Sequence, residues 1–260
     1  TKLDNMADFG YKTSETAFSF GTTFQQYEDF YFNPEISTSI ERLETNGAAT
    51  ANLKKQAGNY FDLYFNYGLN YDLRNQSYKP TEGYRTTFYQ ALPLQSENYE
   101  IVNAFTVTKY HTLLSEMIGR ISFYGKSVNS LVNEDVRISK RLNIPSNKLR
   151  GFESGKIGPI DNKDFVGGNY VTALNISATL PNFLLSLQNT DFSIFFDAAN
   201  IWGVDYNSSI DDGSKIRSST GIAVDVWTPL GPLNFSFAIP ITKKSTDVTE
   251  SFRFNIGTSF

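Results

Sequence analysis

The sequence predicts an all-β protein, and within that class a transmembrane antiparallel β-barrel. Apolar and polar side chains alternate along most of the chain, as they do when successive strand residues point to opposite faces. No run of about 18 apolar residues without charge occurs, which excludes an α-helical membrane protein. Aromatic residues nevertheless make up 15% of the 260 residues, with 22 Phe and 15 Tyr, at a mean hydropathy of −0.32.

The alternation predicts about eleven strands. It is clearest in Tyr60–Asp72, where the odd positions carry Phe, Leu and Tyr and the even positions include Asp, Asn and Gly. It is weaker near 83–92 and 99–110. The predicted strands lie near residues 16–25, 28–43, 59–74, 83–92, 99–110, 116–126, 168–180, 191–202, 214–227, 232–240 and 251–260.

Two architectures contain such strands: a soluble sandwich, whose apolar faces meet inside, and a transmembrane barrel, whose apolar faces contact lipid. The predicted strands are about ten residues long, which matches the roughly 9–11 that cross a bilayer, whereas strands in globular proteins are mostly about five or six. The polar faces carry small residues and scattered charges. Aromatic rings gather near strand ends, as a membrane interface requires. The sequence therefore favours the barrel, with the sandwich as the alternative.

The composition argues against several other classes of function. A net charge of −4 gives no basic surface for nucleic acid, and the absence of Cys removes thiol chemistry. His111 is the single histidine, and its sequence context is that of a surface or strand-end residue. No G-x-S-x-G motif is present. We therefore expect neither an enzyme nor a metal site or cofactor.

Barrel closure sets a condition on the number of strands. Bacterial single-chain barrels usually have an even number, and an unpaired edge in lipid costs several kcal/mol per backbone group. Either a strand near Thr1–Tyr11 is missing from the count, or the first part of the barrel lies outside this sequence. The chain also begins at Thr1 without an initiator Met. We expect that the first strands are absent.

A stretch of about forty residues, 127–166, shows no clean alternation and contains NKLRGFESGKIGP, Asn147–Pro159. Loops longer than about 12–15 residues are usually functional or disordered. Arg150 stands beside Gly151 and Phe152 on a predicted tight bend. The loop either lies exposed on the surface or folds into the lumen, where Arg150 meets a carboxylate of the wall.

Asp197 is the candidate partner. In Asp191–Gly203 the parity places Phe192, Ile194 and Phe196 toward lipid and therefore Asp197 toward the lumen. An exposed ion pair contributes about 0–1 kcal/mol, whereas removing one partner of a desolvated pair costs roughly 3–5 kcal/mol. The sequence leaves both regimes open.

These segments resemble the BamA family of the bacterial barrel assembly machinery, within the superfamily of polypeptide-transporting outer-membrane barrels. KLRGFESGKIGP is similar to the (V/I/L)-R-G-F signature of the family's sixth loop. The similarity continues, in the family's order, through VGGN, FFDAANIW, GIAVDVWTPLGPLNFSFAIP and FRFNIGTSF. TamA-like and two-partner-secretion transporters share the R-G-F loop and the terminal aromatic residue.

The resemblance implies the C-terminal eleven or so strands of a sixteen-stranded outer-membrane barrel, with the periplasmic POTRA domains and about five first strands absent. It makes Arg150, Gly151 and Phe152 a loop anchor in the lumen, with Asp197 as the wall partner. Two family positions differ: Ala199 replaces a glycine, and Ser177 replaces a glutamate that also meets the arginine. More of the anchoring therefore falls on Asp197.

The last strand, SFRFNIGTSF, has Phe252, Phe254, Ile256 and Phe260 on one face. The resemblance implies that this strand is a β-signal read by strand pairing at an exposed edge. It also implies a weak seam between the last and the first strand. Gly257 either lets the strand kink at this seam or leaves space for a lumen residue.

The function implied is that of an outer-membrane protein insertase, which folds and inserts client β-barrels through a lateral seam. Its implied partners are accessory Bam lipoproteins, unfolded outer-membrane protein clients, periplasmic chaperones and outer-membrane lipid. The alternative is a polypeptide-secreting pore of the two-partner or TamA-like type, in which the R-G-F loop gates the lumen.

Overall fold

A computed structural model describes residues 2–5, 10–114, 116–162, 164–181, 189–210, 215–228 and 231–256. It is almost entirely antiparallel β-structure, so the predicted all-β class is confirmed. No helix in these ranges is long and apolar enough to cross a bilayer. The elements are β1 Lys2–Asn5, β2 Tyr11–Gly21, β3 Phe24–Tyr27, β4 Phe30–Thr45, α1 Ala51–Lys55, β5 Gly58–Asp72, β6 Gly83–Gln95, β7 Glu100–Leu114, β8 Met117–Ser130, β9 Ile160–Asp161, β10 Asp164–Phe165, β11 Tyr170–Leu180, β12 Thr190–Trp202, a 3₁₀ turn Ser208–Ile210, β13 Arg217–Thr228, β14 Gly231–Thr242 and β15 Phe252–Ile256.

The strands form one sheet whose spatial order follows the chain. That order is β1-β2-β4-β5-β6-β7-β8-β11-β12-β13-β14-β15, and β3 pairs with the beginning of β4. The short pair β9–β10 lies apart, inside the long connection between β8 and β11. The two stacked sheets of a sandwich are not what the described residues form. Within them, the end strands β1 and β15 do not pair with each other.

In the described residues twelve strands follow one another along the sheet, one more than the eleven expected; the additional strand is β1, and the short β3 beside β4 is a thirteenth. It pairs with the beginning of β2, from Lys2 opposite Ser14 to Asn5 opposite Tyr11. β2 itself begins five residues before the predicted position 16. Ser14 and Thr16 occupy outward positions of β2, so the apolar alternation is missing at the beginning of this strand. The sequence pattern therefore revealed neither the beginning of β2 nor β1, which pairs with it.

The two faces of the sheet differ as predicted for a transmembrane barrel. Large apolar side chains cover the outer face; Phe20 is 76% exposed and Ile239 is 72% exposed. Small and polar side chains cover the inner face and are buried, among them Asn66, Ser122 and Ser236. A strand alternates its side chains between the faces, so the sequence parity alone determines which set points outward.

Aromatic rings gather on one rim of the sheet. Phe30 and Tyr71 have ring centroids 6.4 Å apart, and Tyr71 and Tyr84 have centroids 5.9 Å apart. Two of the shortest connections, residues 28–29 and 115–116, lie on this rim, and the long connection 131–169 lies on the other. Outer-membrane barrels have short periplasmic turns and long extracellular loops, so the rim with Tyr71 and Tyr84 is the periplasmic one.

The long connection, residues 131–169, fills the inside of the sheet. Its side chains reach β4, β5 and β7 on one side and β12 on the other, which requires the sheet to curl around it. An apolar cluster joins the loop to the wall; it comprises Val128, Val136, Leu142, Ile144, Leu149, Phe152, Ile157, Val171, Ala173, Ala199 and Ile201. In the described residues the loop packs against the inner face of the sheet.

Candidate functional site

Arg150, at the tip of the long loop, forms a bidentate ion pair with Asp197 on β12. Its Nε lies 2.7 Å from Asp197 Oδ2 and its Nη2 lies 2.8 Å from Oδ1. The backbone N–H of Arg150 donates a further hydrogen bond to Oδ2 at 3.1 Å. Asp197 points inward because the adjacent Phe196 occupies an outward position of the strand. The structure thus brings together the two side chains that the sequence singled out.

Three wall residues complete the surroundings of this ion pair. Asn175 on β11, the cross-strand partner of Asp197, donates through Nδ2 to Asp197 Oδ1 and to the carbonyl of Lys148, both at 2.8 Å. The hydroxyl of Ser219 donates to the carbonyl of Arg150. The guanidinium carbon of Arg150 lies 3.4 Å from the centroid of the Phe195 ring, as in a cation–π contact.

Burial decides between the two energetic regimes that the sequence left open. The Asp197 side chain is 0% exposed and the Arg150 side chain is 16% exposed. The pair is therefore largely removed from water. Truncating either partner leaves the other as a buried charge without compensation, which costs roughly 3–5 kcal/mol.

Gly151 and Phe152 lock the loop against the wall and against the connection 243–251. Gly151 has φ +90°, and a Cβ there would lie 3.2 Å from the Cβ atoms of both Ser219 and Ala238. Only glycine fits this position without strain. Phe152 is 1% exposed, and its backbone forms a β-bridge with Thr249.

The two positions that differ from the family pattern lie beside the ion pair. Ala199 is buried in the apolar cluster of the loop. Ser177 borders an interior cavity of about 170 Å³ together with Arg120 and Arg150. The nearest inward neighbour of Ser177 on the same strand, Asn175, makes the hydrogen bond to Asp197. The sequence analysis assigned no role to Asn175.

A second charged cluster, which the sequence analysis missed, surrounds Arg137 of the same loop. Arg137 Nη2 lies 2.6 Å from Asp62 Oδ2 and 3.1 Å from Glu100 Oε2, and Nη1 lies 3.4 Å from Glu41 Oε2. All four side chains are at most 3% exposed. Lys140 approaches Asp62 at 3.4 Å from a partly exposed position. One guanidinium thus holds three wall carboxylates together.

Two further arginines tie the connection 243–251 to the interior. Arg217 and Asp247 form a second bidentate pair, with both N–O distances 3.1 Å and both side chains 0% exposed. Arg253 on β15 donates to the carbonyls of Ser146 and Phe152. The loop tip is therefore held by the last strand as well as by β12.

The terminal strand presents the predicted apolar face. Phe252, Phe254 and Ile256 are 46%, 44% and 74% exposed, on the outer side of the sheet. The rings of Phe254 and Phe235 on β14 have centroids 5.0 Å apart. Gly257 and Phe260, the other two residues assigned to the signal and the seam, lie outside the described residues.

Lys148, next to the ion pair, gives the site a titratable group. Burial, and then the nearby charge of Arg120, lower its pKa from the usual 10.5 to about 8, although Asp197 acts in the opposite direction. Between these two values the unfolded chain binds more protons than the folded one, so the free energy of unfolding should rise with pH. In urea unfolding, we expect this rise with pH in the wild type and not in Lys148→Met.

The Lys148→Arg variant is the matched control, because it keeps the charge but does not titrate in this range. The free energy of unfolding of Lys148→Arg should depend on pH in the same way as that of Lys148→Met. Equal pH dependence of the wild type and both variants would contradict the depressed pKa.

No cluster of three or more potential metal ligands occurs in the parts of the chain that the structure describes. His111 is exposed, and its Nδ1 lies 3.0 Å from Glu82 Oε2. It therefore lies at the surface, away from the Arg150 site.

Comparison with known proteins identifies a family. The family model described as the Omp85 superfamily domain matches residues 2–260. The chain is 29% identical over 219 residues to outer membrane protein assembly factor BamA of Neisseria meningitidis serogroup B, covering 70% of this chain and 26% of that protein. It is 21% identical over 262 residues to BamA of Neorickettsia risticii, covering 96% and 34% respectively. The chain thus spans about a quarter to a third of these relatives.

A solved structure gives the same result for the fold. The crystal structure of BamA from Haemophilus ducreyi lacking POTRA domains 1–3 superimposes with a TM-score of 0.83 at 24% identity, covering 94% of this chain and 53% of that one. CdiB from Acinetobacter baumannii superimposes with a TM-score of 0.60 at 11% identity. The predicted transmembrane antiparallel barrel and the resemblance to the BamA family are both confirmed.

Proposed function

Because the chain belongs to the Omp85 superfamily, we propose that its full-length protein is an outer-membrane protein insertase, which folds client β-barrels into the bacterial outer membrane. The observation that carries the proposal is the similarity to two proteins named outer membrane protein assembly factor, over 70% and 96% of the chain. In this proposal the chain is the C-terminal part of the barrel, with the periplasmic POTRA domains outside it.

The proposed activity is non-covalent. Unpaired strand-edge groups in lipid cost several kcal/mol each, so a barrel seam that opens offers a strong template for an incoming strand. The client strand pairs with this edge, and its remaining strands follow. In this proposal the terminal strand, with Phe252, Phe254 and Ile256 on its outer face, forms one side of the seam.

Arg150, Gly151 and Phe152, with their wall partner Asp197, are called the clamp. In the proposal, the clamp gives the wall the rigidity that this activity needs. Arg150, Gly151 and Phe152 are held by β12, β13 and the connection 243–251, and Arg253 ties the same loop to β15. In the proposal, this loop keeps strands β12–β15 in one arrangement while the seam opens. Asp197 is the wall residue on which the clamp depends.

The proposed partners follow from the same assignment. Unfolded outer-membrane proteins are the clients, and periplasmic chaperones deliver them. Accessory Bam lipoproteins assemble on the periplasmic side, and outer-membrane lipid surrounds the outward apolar face. A polypeptide-secreting pore is less well supported, because both curated relatives compared above are named outer membrane protein assembly factors.

The test is a client-folding assay with the full-length protein in liposomes. Folding of a small client barrel is followed by its heat-modifiable mobility on gels, with liposomes that contain an unrelated barrel of similar size as control. The proposal expects faster client folding than in the control and no large steady conductance. Folding at the control rate together with a large steady conductance would contradict the insertase and favour the pore.

A further inference from the structure

Two basic residues stand on the outward, lipid-facing side of β7. Lys109 and His111 occupy odd positions in line with the exposed Phe105 and Leu113, which explains why the alternation of this strand is weak. His111 pairs with Glu82, whereas no carboxylate in the described ranges lies within ion-pair distance of Lys109. A charged side chain on a lipid-facing wall is costly unless it reaches the interface or finds a partner.

Lys109 lies at the level of the membrane interface. Its cross-strand partner on β6 is Tyr84, whose ring belongs to the aromatic belt of the periplasmic rim together with Tyr71. Such belts lie at the depth of lipid headgroups. The flexible stem of Lys109 can extend its ammonium into this layer. The layer on this side is the leaflet facing the periplasm.

An apolar groove of about 630 Å³ opens on the same wall beside Lys109 and His111. Its floor is formed by Gly119 on β8 and Ala178 on β11, which are direct cross-strand partners. The small side chains at these two positions leave a dent between bulkier neighbours. The walls of the groove are formed by Leu113, Ile121, Ile176, Ile194 and Phe196.

We propose that this groove binds an anionic phospholipid of the periplasm-facing leaflet. The phosphate contacts the Lys109 ammonium, and one acyl chain lies over Ala178, beside the Leu113 side chain that packs over Gly119. Charge complementarity identifies the occupant, because Lys109 lacks a carboxylate partner among the described residues at the depth where phosphates lie. The inference rests on the transmembrane fold and not on insertase activity, so either can fail without the other.

Native mass spectrometry of the full-length protein tests the proposal. The protein is released from bilayers that contain equal amounts of phosphatidylglycerol and phosphatidylcholine, and the retained lipids are counted. We expect preferential retention of phosphatidylglycerol in the wild type. Lys109→Gln should lower it about five-fold, since one basic residue near an anionic headgroup contributes about 1 kcal/mol. Ala178→Leu should remove the retained lipid by filling the groove.

Matched variants control for charge and bulk. Lys12→Gln removes a lysine from the outward face of β2 near the opposite rim, and Gly125→Leu adds bulk to the outward face of β8 away from the groove. Both should retain lipid as the wild type does. Should Ala178→Leu fail to fold, Ile176→Trp adds bulk to the wall of the same groove.

Two results would overturn the assignment. Equal retention of both lipids by the wild type would mean that Lys109 does not select the headgroup. If retention is unchanged in Lys109→Gln and in the groove-filling variant, the groove is not a phospholipid site. The same conclusion follows if a second copy of the protein is bound in place of lipid. Client folding by Lys109→Gln should equal that of the wild type, which separates this site from the insertase activity.

Discussion

Replacing Arg137 with methionine is expected to destabilise the barrel by about 3–5 kcal/mol. The change leaves Glu41, Asp62 and Glu100, each at most 3% exposed, without their common cation; among the described residues the partly exposed Lys140 remains near Asp62. Three carboxylates without their common partner repel one another and cannot be hydrated. Urea unfolding of the full-length protein in bilayers, followed by heat-modifiable gel mobility, measures the loss.

Two variants make this result specific. Arg42→Met removes an arginine whose ion pair with Glu44 is exposed, with side chains 68% and 37% accessible, so it should change stability by less than about 1 kcal/mol. Glu100→Gln combined with Arg137→Met should recover part of the loss, because it removes one of the uncompensated charges. If Arg137→Met unfolds at the same urea concentration as Arg42→Met, the cluster does not hold the loop.

Breaking the Arg150–Asp197 pair should have a comparable effect on stability. Arg150→Ala leaves a carboxylate that is 0% exposed, and Asp197→Asn leaves a guanidinium that is 16% exposed. Each single change should cost roughly 3–5 kcal/mol in the same unfolding measurement. The double variant should cost little more than either single one, because both changes remove one interaction.

The same variants connect the clamp to the proposed activity. A loop released from β12 no longer holds the strands next to the seam, so Arg150→Ala should slow client folding even in the fraction that remains folded. Strictly additive losses of stability in the double variant would show that the two residues act separately. Client folding at the wild-type rate by a folded Arg150→Ala protein would remove the clamp from the mechanism.

The alternation of apolar and polar residues with period two allowed the sequence to predict which side chains of the wall point inward or outward. It placed Asp197 inward and Phe192 and Phe196 outward, because a strand leaves no other choice once one face is apolar. It missed β1, since Lys2–Asn5 is only four residues long. For Arg150, the sequence left an exposed and a lumen position open, and the family resemblance favoured the lumen one.

Contacts between the loop and the wall were beyond the reach of such patterns. Arg137 lies 96 residues from Glu41, 75 from Asp62 and 37 from Glu100 along the chain. Their meeting depends on the stagger of strands β4 to β7 and on the path of an irregular loop. Local sequence periodicity determines neither the stagger of the strands nor the path of the loop. Parity indicated inward carboxylates, but not which cation would reach them.

A cysteine scan of β14 tests the central claim that the apolar face contacts lipid and the polar face lines an interior filled by the loop. These 260 residues contain no cysteine, so single spin labels can be placed at positions 233–239 of the full-length protein in bilayers once any cysteine outside them has been replaced. We expect oxygen accessibility to peak at Leu233, Phe235, Phe237 and Ile239 and to fall at Asn234 and Ser236, which are buried. Accessibility that does not alternate, or that is highest for a water-soluble reagent at the phenylalanines, would contradict the account.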